Sequence, residues 1–181
     1  MASSRPILGP TNGPVPAEVM LIGEAPGRLG AARTGVPFSG DQSARNLARL
    51  LNAAGWTRDD VFLTNAVLCH PRTETGGNRR PDRSEVRRCS GWLREQIAIV
   101  DPVVVGALGI VALDALALIE PHNGELRRDA GKAIPWNGRL LVPLYHPSPR
   151  AQIHRPLAAQ EADFRSLRQV WEASGRWEHP G

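Results

Sequence analysis

Four apolar runs constrain this chain more than anything else in it: "EVMLIG" (18–23), "DVFLTNAVLC" (60–69), "PVVVGALG" (102–109) and "RLLVPLY" (139–145). None alternates apolar with polar side chains, so none suits a strand with one wet face. Continuous apolar strands belong in a parallel sheet covered by helices on both faces. Helical patterns lie between them. "DQSARNLARLLNAAGW" puts Ala44, Leu47, Leu50 and Leu51 on one face, with Asp41 or Ser43 as its cap and Gly55 as its stop. "SEVRRCSGWLREQIAIV" starts at a capping Ser84 and carries Val86, Cys89, Trp92, Leu93 and Ile97 on one side. "IVALDALALIE" is closed by Pro121, and a last helix runs from Pro156 to Trp171. The expectation is α/β: a single three-layer domain over residues 18–173, with a short four-stranded parallel sheet flanked by helices. Residues 1–17, with Pro6, Pro10, Pro14 and Pro16, read as an irregular arm. Residues 122–139 read as a polar segment and 174–181 as a tail.

At 181 residues one domain is the default, with length enough for a sizeable core. No stretch approaches the ~20 apolar residues that span a membrane, and the first residues lack the apolar core of a secretory signal. The expected location is the cytoplasm. Lys+Arg number 22 against 18 Asp+Glu, and Lys132 is the only lysine. Arginine grips phosphate with paired donors, which suits a polyanionic partner; a GC-rich genome accounts for the same bias. Two cysteines, Cys69 and Cys89, read as reduced thiols and are too few for a four-cysteine zinc site or iron–sulfur cluster.

In open parallel sheets the ligand lies beyond the carboxyl ends of the strands. Three of those ends are unusual: "GEAPG", "TNAVLCHP" and "YHPSP" place Glu24, Asn65 and His146 at strand-to-loop junctions. An amide inside an apolar strand is costly unless its hydrogen bonds are met. Asn65 either bonds a neighbouring loop or offers one donor and one acceptor to a heterocycle edge such as that of uracil. His146 is either a structural imidazole or a functional group held by the stiff "PSP" that follows it. Phe38 is a core aromatic, or a stacking surface for a flat base if it faces the pocket. Arg79, Arg80, Arg83, Arg87, Arg88, Arg150 and Arg155 sit near the inferred ligand-facing loops. They read as solvated faces or as phosphate contacts. Neither a Walker loop nor a serine-hydrolase elbow is present, and no strand end has metal-ligand spacing.

Together these motifs resemble the uracil-DNA glycosylase superfamily. "GEAPG" and "TNAV" followed by "CHPR" and "NRRP" are similar to family 4. "RLGAARTGVPF" and "HPSPR" look like the single-strand-selective monofunctional enzymes. The resemblance implies a monofunctional DNA glycosylase that flips uracil out and hydrolyses its N-glycosidic bond, initiating base excision repair. Its implied partner is uracil-containing DNA, single- or double-stranded, with no membrane partner and a monomeric chain. By position, His146 would donate to uracil O2 and Glu24 would help place water. Gly23, Ala25, Gly27, Phe38 and Asn65 would hold the base. Arg150, Ser148, Arg79 and Arg80 would contact DNA, Arg150 entering the gap left by the base. Ala25 stands where many relatives have Asp or Asn, which leaves Glu24 as water-holder or loop cap. Gly27 replaces a tyrosine that in some relatives excludes the thymine methyl, so 5-substituted uracils have room. Cys69 and Cys89 match two of the four cysteines that hold a 4Fe–4S cluster in family 4, so no cofactor and no metal site is expected. The alternative is a uracil- or damage-binding protein of the same fold that does not cleave; a phosphoester hydrolase lacks its metal and phosphate motifs.

Overall fold

The computed structural model describes residues 5–175, so residues 1–4 of the expected arm and 176–181 of the expected tail lie outside it. Its elements are β1 (Val19–Gly23), α1 (Ala31–Thr34), α2 (Gln42–Ala53), β2 (Phe62–Asn65), α3 (Arg83–Val100), β3 (Val104–Leu108), α4 (Ile110–Ala117), α5 (Leu126–Asp129), β4 (Ile134–Trp136), β5 (Arg139–Leu144) and α6 (Leu157–Ala173). The strands lie in the order β2-β1-β3-β5-β4. β1 pairs in parallel with β2 and β3, and β3 in parallel with β5. Chain direction reverses its march across the sheet between β1 and β3, the place where such sheets open a ligand crevice.

Both faces are covered, as continuous apolar strands require. Met20, Ile22, Val105 and Ala107 meet Leu93 and Ile97 of α3 and Ala112 and Leu116 of α4. Val19, Leu21, Val104 and Leu108 meet Leu47 and Leu50 of α2 and Phe164 and Leu167 of α6. No helix of the described residues is long and apolar enough to cross a membrane.

The sheet has five strands, not four. β4 pairs antiparallel with β5 through Ile134–Leu141 and Trp136–Arg139. It falls in the stretch read as a polar segment, because three residues containing a proline show no period. "WNGR" carries the signal nonetheless: Asn137 (φ 48°) and Gly138 (φ 70°) form a two-residue left-handed turn, the geometry asparagine–glycine favours in hairpins. Trp136 is buried and its indole N–H donates to Glu120 O at 2.7 Å. Of the two helix caps, the first is one of the expected pair and the second differs. Asp41 caps α2 by accepting from Ala44 N at 2.9 Å. The cap of α3 is Asp82, two residues before Ser84, and Glu85 accepts from Asp82 N at 2.8 Å.

The arm closes the free edge of β2. Asn12 is buried; its amide donates to Leu63 O at 2.7 Å and accepts from Gly9 N at 2.9 Å. Ile7 N donates to Leu68 O at 2.9 Å. An edge carbonyl that water cannot reach needs such a partner. Asn12→Ala is expected to lower unfolding stability by about 1–3 kcal/mol, read from urea melts, because it strands that carbonyl; an unchanged midpoint would show that the arm contributes nothing there.

Candidate active site

All four parallel strands end on one side, and there a cleft of about 640 Å³ opens. β1 delivers Glu24, Ala25, Pro26 and Gly27; β2 delivers Asn65; β3 is followed by Gly109; β5 is followed by Tyr145 and His146. Phe38, Arg79, Arg80, Ser148 and Arg150 complete the walls and rim.

Gly23 is the exception among the expected base-holding residues: it stands behind the wall. A Cβ there would fall 2.5 Å from Phe38 Cζ and 2.6 Å from Asn65 Oδ1. Its missing side chain is the space those two groups occupy. Asn65, paired with Gly23 across β1 and β2, is 3% exposed yet lines the cleft. Its side-chain amide takes no hydrogen bond from any described residue. That excludes a tie to a neighbouring loop and leaves both amide functions for a ligand. Phe38 has a positive φ of 48° and is held by Arg58, which donates to Pro37 O at 2.8 Å and to Thr11 O at 3.1 Å. Its ring centroid stands 6.3 Å from that of His146, tilted by 36°.

His146 follows β5 and lies against Gly109, where an added Cβ would come within 3.4 Å of its own. Burial pushes its pKa down to about 4, a shift opposed by the charge of Asp41. The imidazole is therefore neutral at pH 7 and carries a single N–H to donate. Glu24 shows the complementary trend. Burial raises its pKa, while the charges of Arg80 and Arg150 hold it down.

In sequence Asp41 reads only as a helix cap; the structure also makes it a second cleft carboxylate. Oδ1 caps α2, and Oδ2 takes no hydrogen bond from a described residue, lying 3.4 Å from where a Gly27 Cβ would stand. The signal was the glycine flanking it: in "SGD", Gly40 has φ 92°, which turns the chain so that its cap faces inward. Tyr145, His70 and His154 were missed as well. His70 Nε2 meets Asn78 Oδ1 at 2.8 Å, which in turn accepts from Arg28 N at 2.8 Å, tying the loop after β2 to the glycine loop.

The expected DNA contacts separate into two kinds. Arg79 is committed to the fold: it donates to both Glu85 oxygens at 2.8 and 2.7 Å and to Arg72 O and Arg80 O. Arg80 is only loosely paired, 3.9 Å from Asp114 with both side chains mostly exposed, and Arg150 is exposed on the rim. Ser148 Oγ accepts from Ala151 N at 3.3 Å and starts the turn at Ala151–Ile153. The chain has two cysteines, Cys69 and Cys89, both half-buried free thiols. Among the described residues no group of three or more His, Cys, Asp or Glu is placed to hold a metal.

A family model described as the uracil DNA glycosylase superfamily matches residues 10–173. The chain is similar to a Type-5 uracil-DNA glycosylase of Pyrobaculum aerophilum, 36% identical over 159 residues, which cover 80% of this chain and 66% of that protein. A Type-4 uracil-DNA glycosylase of Saccharolobus solfataricus is 34% identical over 169 residues, covering 89% of this chain and 74% of the relative. A Type-5 uracil-DNA glycosylase of Thermus thermophilus is 35% identical over 161 residues, covering 80% and 70%.

The depressed pKa of His146 has a measurable sign. The unfolded chain binds this proton near the ordinary pKa of about 6.5, the folded chain only near about 4. Its contribution to stability is whole above about 6.5 and is lost as pH falls towards about 4. The His146 ring resonances are expected to stay flat from about pH 8 to about pH 5.5; a midpoint near 6.5 would contradict a half-buried imidazole held neutral by desolvation.

Proposed function

The chain belongs to the uracil DNA glycosylase superfamily, and from that premise we infer that it excises uracil from DNA by hydrolysing the bond between the base and its sugar. The observation that carries the reading is the convergence of an unpartnered amide, a neutral imidazole and an aromatic ring in one cleft: Asn65, His146 and Phe38.

A base inside a duplex is out of reach, so it is flipped into the cleft at a cost of a few kcal/mol. Phe38 stacks on its face. Asn65 accepts from N3–H and donates to O4; cytosine presents the opposite pair and is refused. As the C1′–N1 bond breaks, its electron pair goes to the base, which leaves as an anion while the sugar becomes cationic. His146 donates its N–H to O2, where negative charge collects, and a donor so placed is worth roughly 2.7–4 kcal/mol. Water adds to C1′, and the proton it gives up neutralises the uracil anion, leaving free uracil and an abasic site. Glu24 helps hold that water, and Asp41 faces the cationic sugar beside it. Arg80 and Arg150 bind the phosphates, with Arg150 filling the vacated stack and Ser148 shaping the loop that carries it. With no side chain at Gly27 to exclude a C5 substituent, 5-substituted uracils are admitted. The chain works as a monomer on single- or double-stranded DNA in the cytoplasm, at the nucleoid, and without an iron–sulfur cluster. Absorbance near 400 nm in anaerobically purified protein, with iron and sulfide, would overturn that last point.

Alkali cleavage of a uracil oligonucleotide after single-turnover incubation tests the site. His146→Ala is expected to slow release by about 10²–10³-fold, Asn65→Ala to lose uracil selectively, and Glu24→Gln to be slower than wild type. Equal rates in all four proteins would sink the assignment. A gel shift without base release would favour the non-cleaving binder.

A further inference from the structure

The loop that carries His146 is tied at one point to α2, the helix whose first turn brings Asp41 and Ser43 to the cleft. Asn46, in the middle of α2, is 6% exposed, a costly place for an amide on a helix whose neighbouring buried positions are Leu47, Leu50 and Leu51. Its Nδ2 donates to the carbonyl of Pro147 at 2.7 Å, across 101 residues of sequence. Pro147 is the residue directly after His146.

The direction of every bond in this group is forced. A carbonyl can only accept, so Nδ2 of Asn46 must face Pro147 and Oδ1 must face away. Oδ1 then accepts from Gln42 Nε2 at 2.9 Å. Gln42 Oε1, left outward, accepts from Arg45 Nε at 3.1 Å and Nη2 at 2.7 Å. A charged donor thus polarises a chain of amides that ends on the His146 loop, and each bond fixes the orientation of the next. Proline at 147 and at 149 has no N–H, so this loop cannot hold itself by its own backbone ladder at those positions. The side chain of Asn46 supplies the missing constraint. A leucine would satisfy the helix's apolar face better, yet would leave the Pro147 carbonyl bare.

We propose that Asn46, braced by Gln42 and Arg45, is a positioning residue that fixes the backbone at Pro147 and thereby aims the His146 imidazole at the leaving base. The proposal rests on the glycosylase reading for its effect on rate, and on geometry alone for its effect on the histidine. Asn46 touches neither base nor sugar; it acts through His146.

The test compares uracil with 5-fluorouracil in the same oligonucleotide. Fluorine at C5 withdraws electrons and steadies the departing anion, so its release leans less on the His146 donation. Asn46→Leu and the isosteric Asn46→Asp, which replaces the donor with an acceptor, are assayed alone and on a His146→Ala background. Either variant, if folded by circular dichroism, serves. The expected result is a roughly tenfold fall in kcat for uracil with KM unchanged, and a smaller fall for 5-fluorouracil. Little further loss should follow on the His146→Ala background, because the two residues act as one. In the free protein the His146 ring resonances should shift. Equal losses on both bases, full additivity with His146→Ala, or unmoved ring resonances would overturn the proposal. If the wild-type protein releases neither base, the glycosylase reading falls. The resonances then decide alone: moved, they support the positioning role; unmoved, they end it.

Discussion

Parallel pairing of β1, β2, β3 and β5 is the constraint on which the rest of this molecule depends. Parallel strands all end on the same side, so the residues that follow each one must meet there, whatever their distance in sequence. Glu24, Asn65, Gly109 and His146 come together for that reason alone. The register adds precision: Gly23 opposite Asn65 leaves room for an amide and the Phe38 ring in a space that an ordinary residue would fill. Packing the helices on both faces then makes these strand ends rigid, which a site that must orient a flat base requires.

Charge is divided within the cleft in a way that suits a reaction with separating charge. The imidazole is kept neutral by burial, so it donates without carrying a positive charge that the incoming base must meet. Two carboxylates, Glu24 and Asp41, line the same cleft. The freer arginines, Arg80 and Arg150, line it as well, and their charges oppose the burial that raises the pKa of Glu24. Arg79, by contrast, is fully engaged with Glu85 and neighbouring carbonyls, and holds the loop after β2 in place.

Much of this was legible in the sequence, and for identifiable reasons. Apolar runs without alternation pointed to the parallel sheet, and polar residues at three strand ends pointed to the cleft. The family followed from "GEAPG", "TNAV" and "HPSPR" in order. What escaped depends on third dimensions that periodicity does not carry. β4 was too short to show a pattern, although its asparagine–glycine turn was visible. Asp41 has two oxygens, and capping a helix occupies only one of them. Gly23 read as part of the pocket lining because its neighbours line it, and only the distances to Phe38 and Asn65 put it behind the wall. The pairing of Arg79 with Glu85 was hidden among seven arginines that look alike in sequence. Asn46 looked like one more polar residue on a helix, since its partner lies 101 residues away.

The central claim is that this cleft releases a base and leaves the strand whole. Mass spectrometry of one reaction with a uracil-containing oligonucleotide tests it most directly. Free uracil and an unbroken abasic strand in equal amounts are the predicted products. An intact uracil strand after prolonged incubation with excess protein, or a broken backbone with the base still attached, would contradict the account.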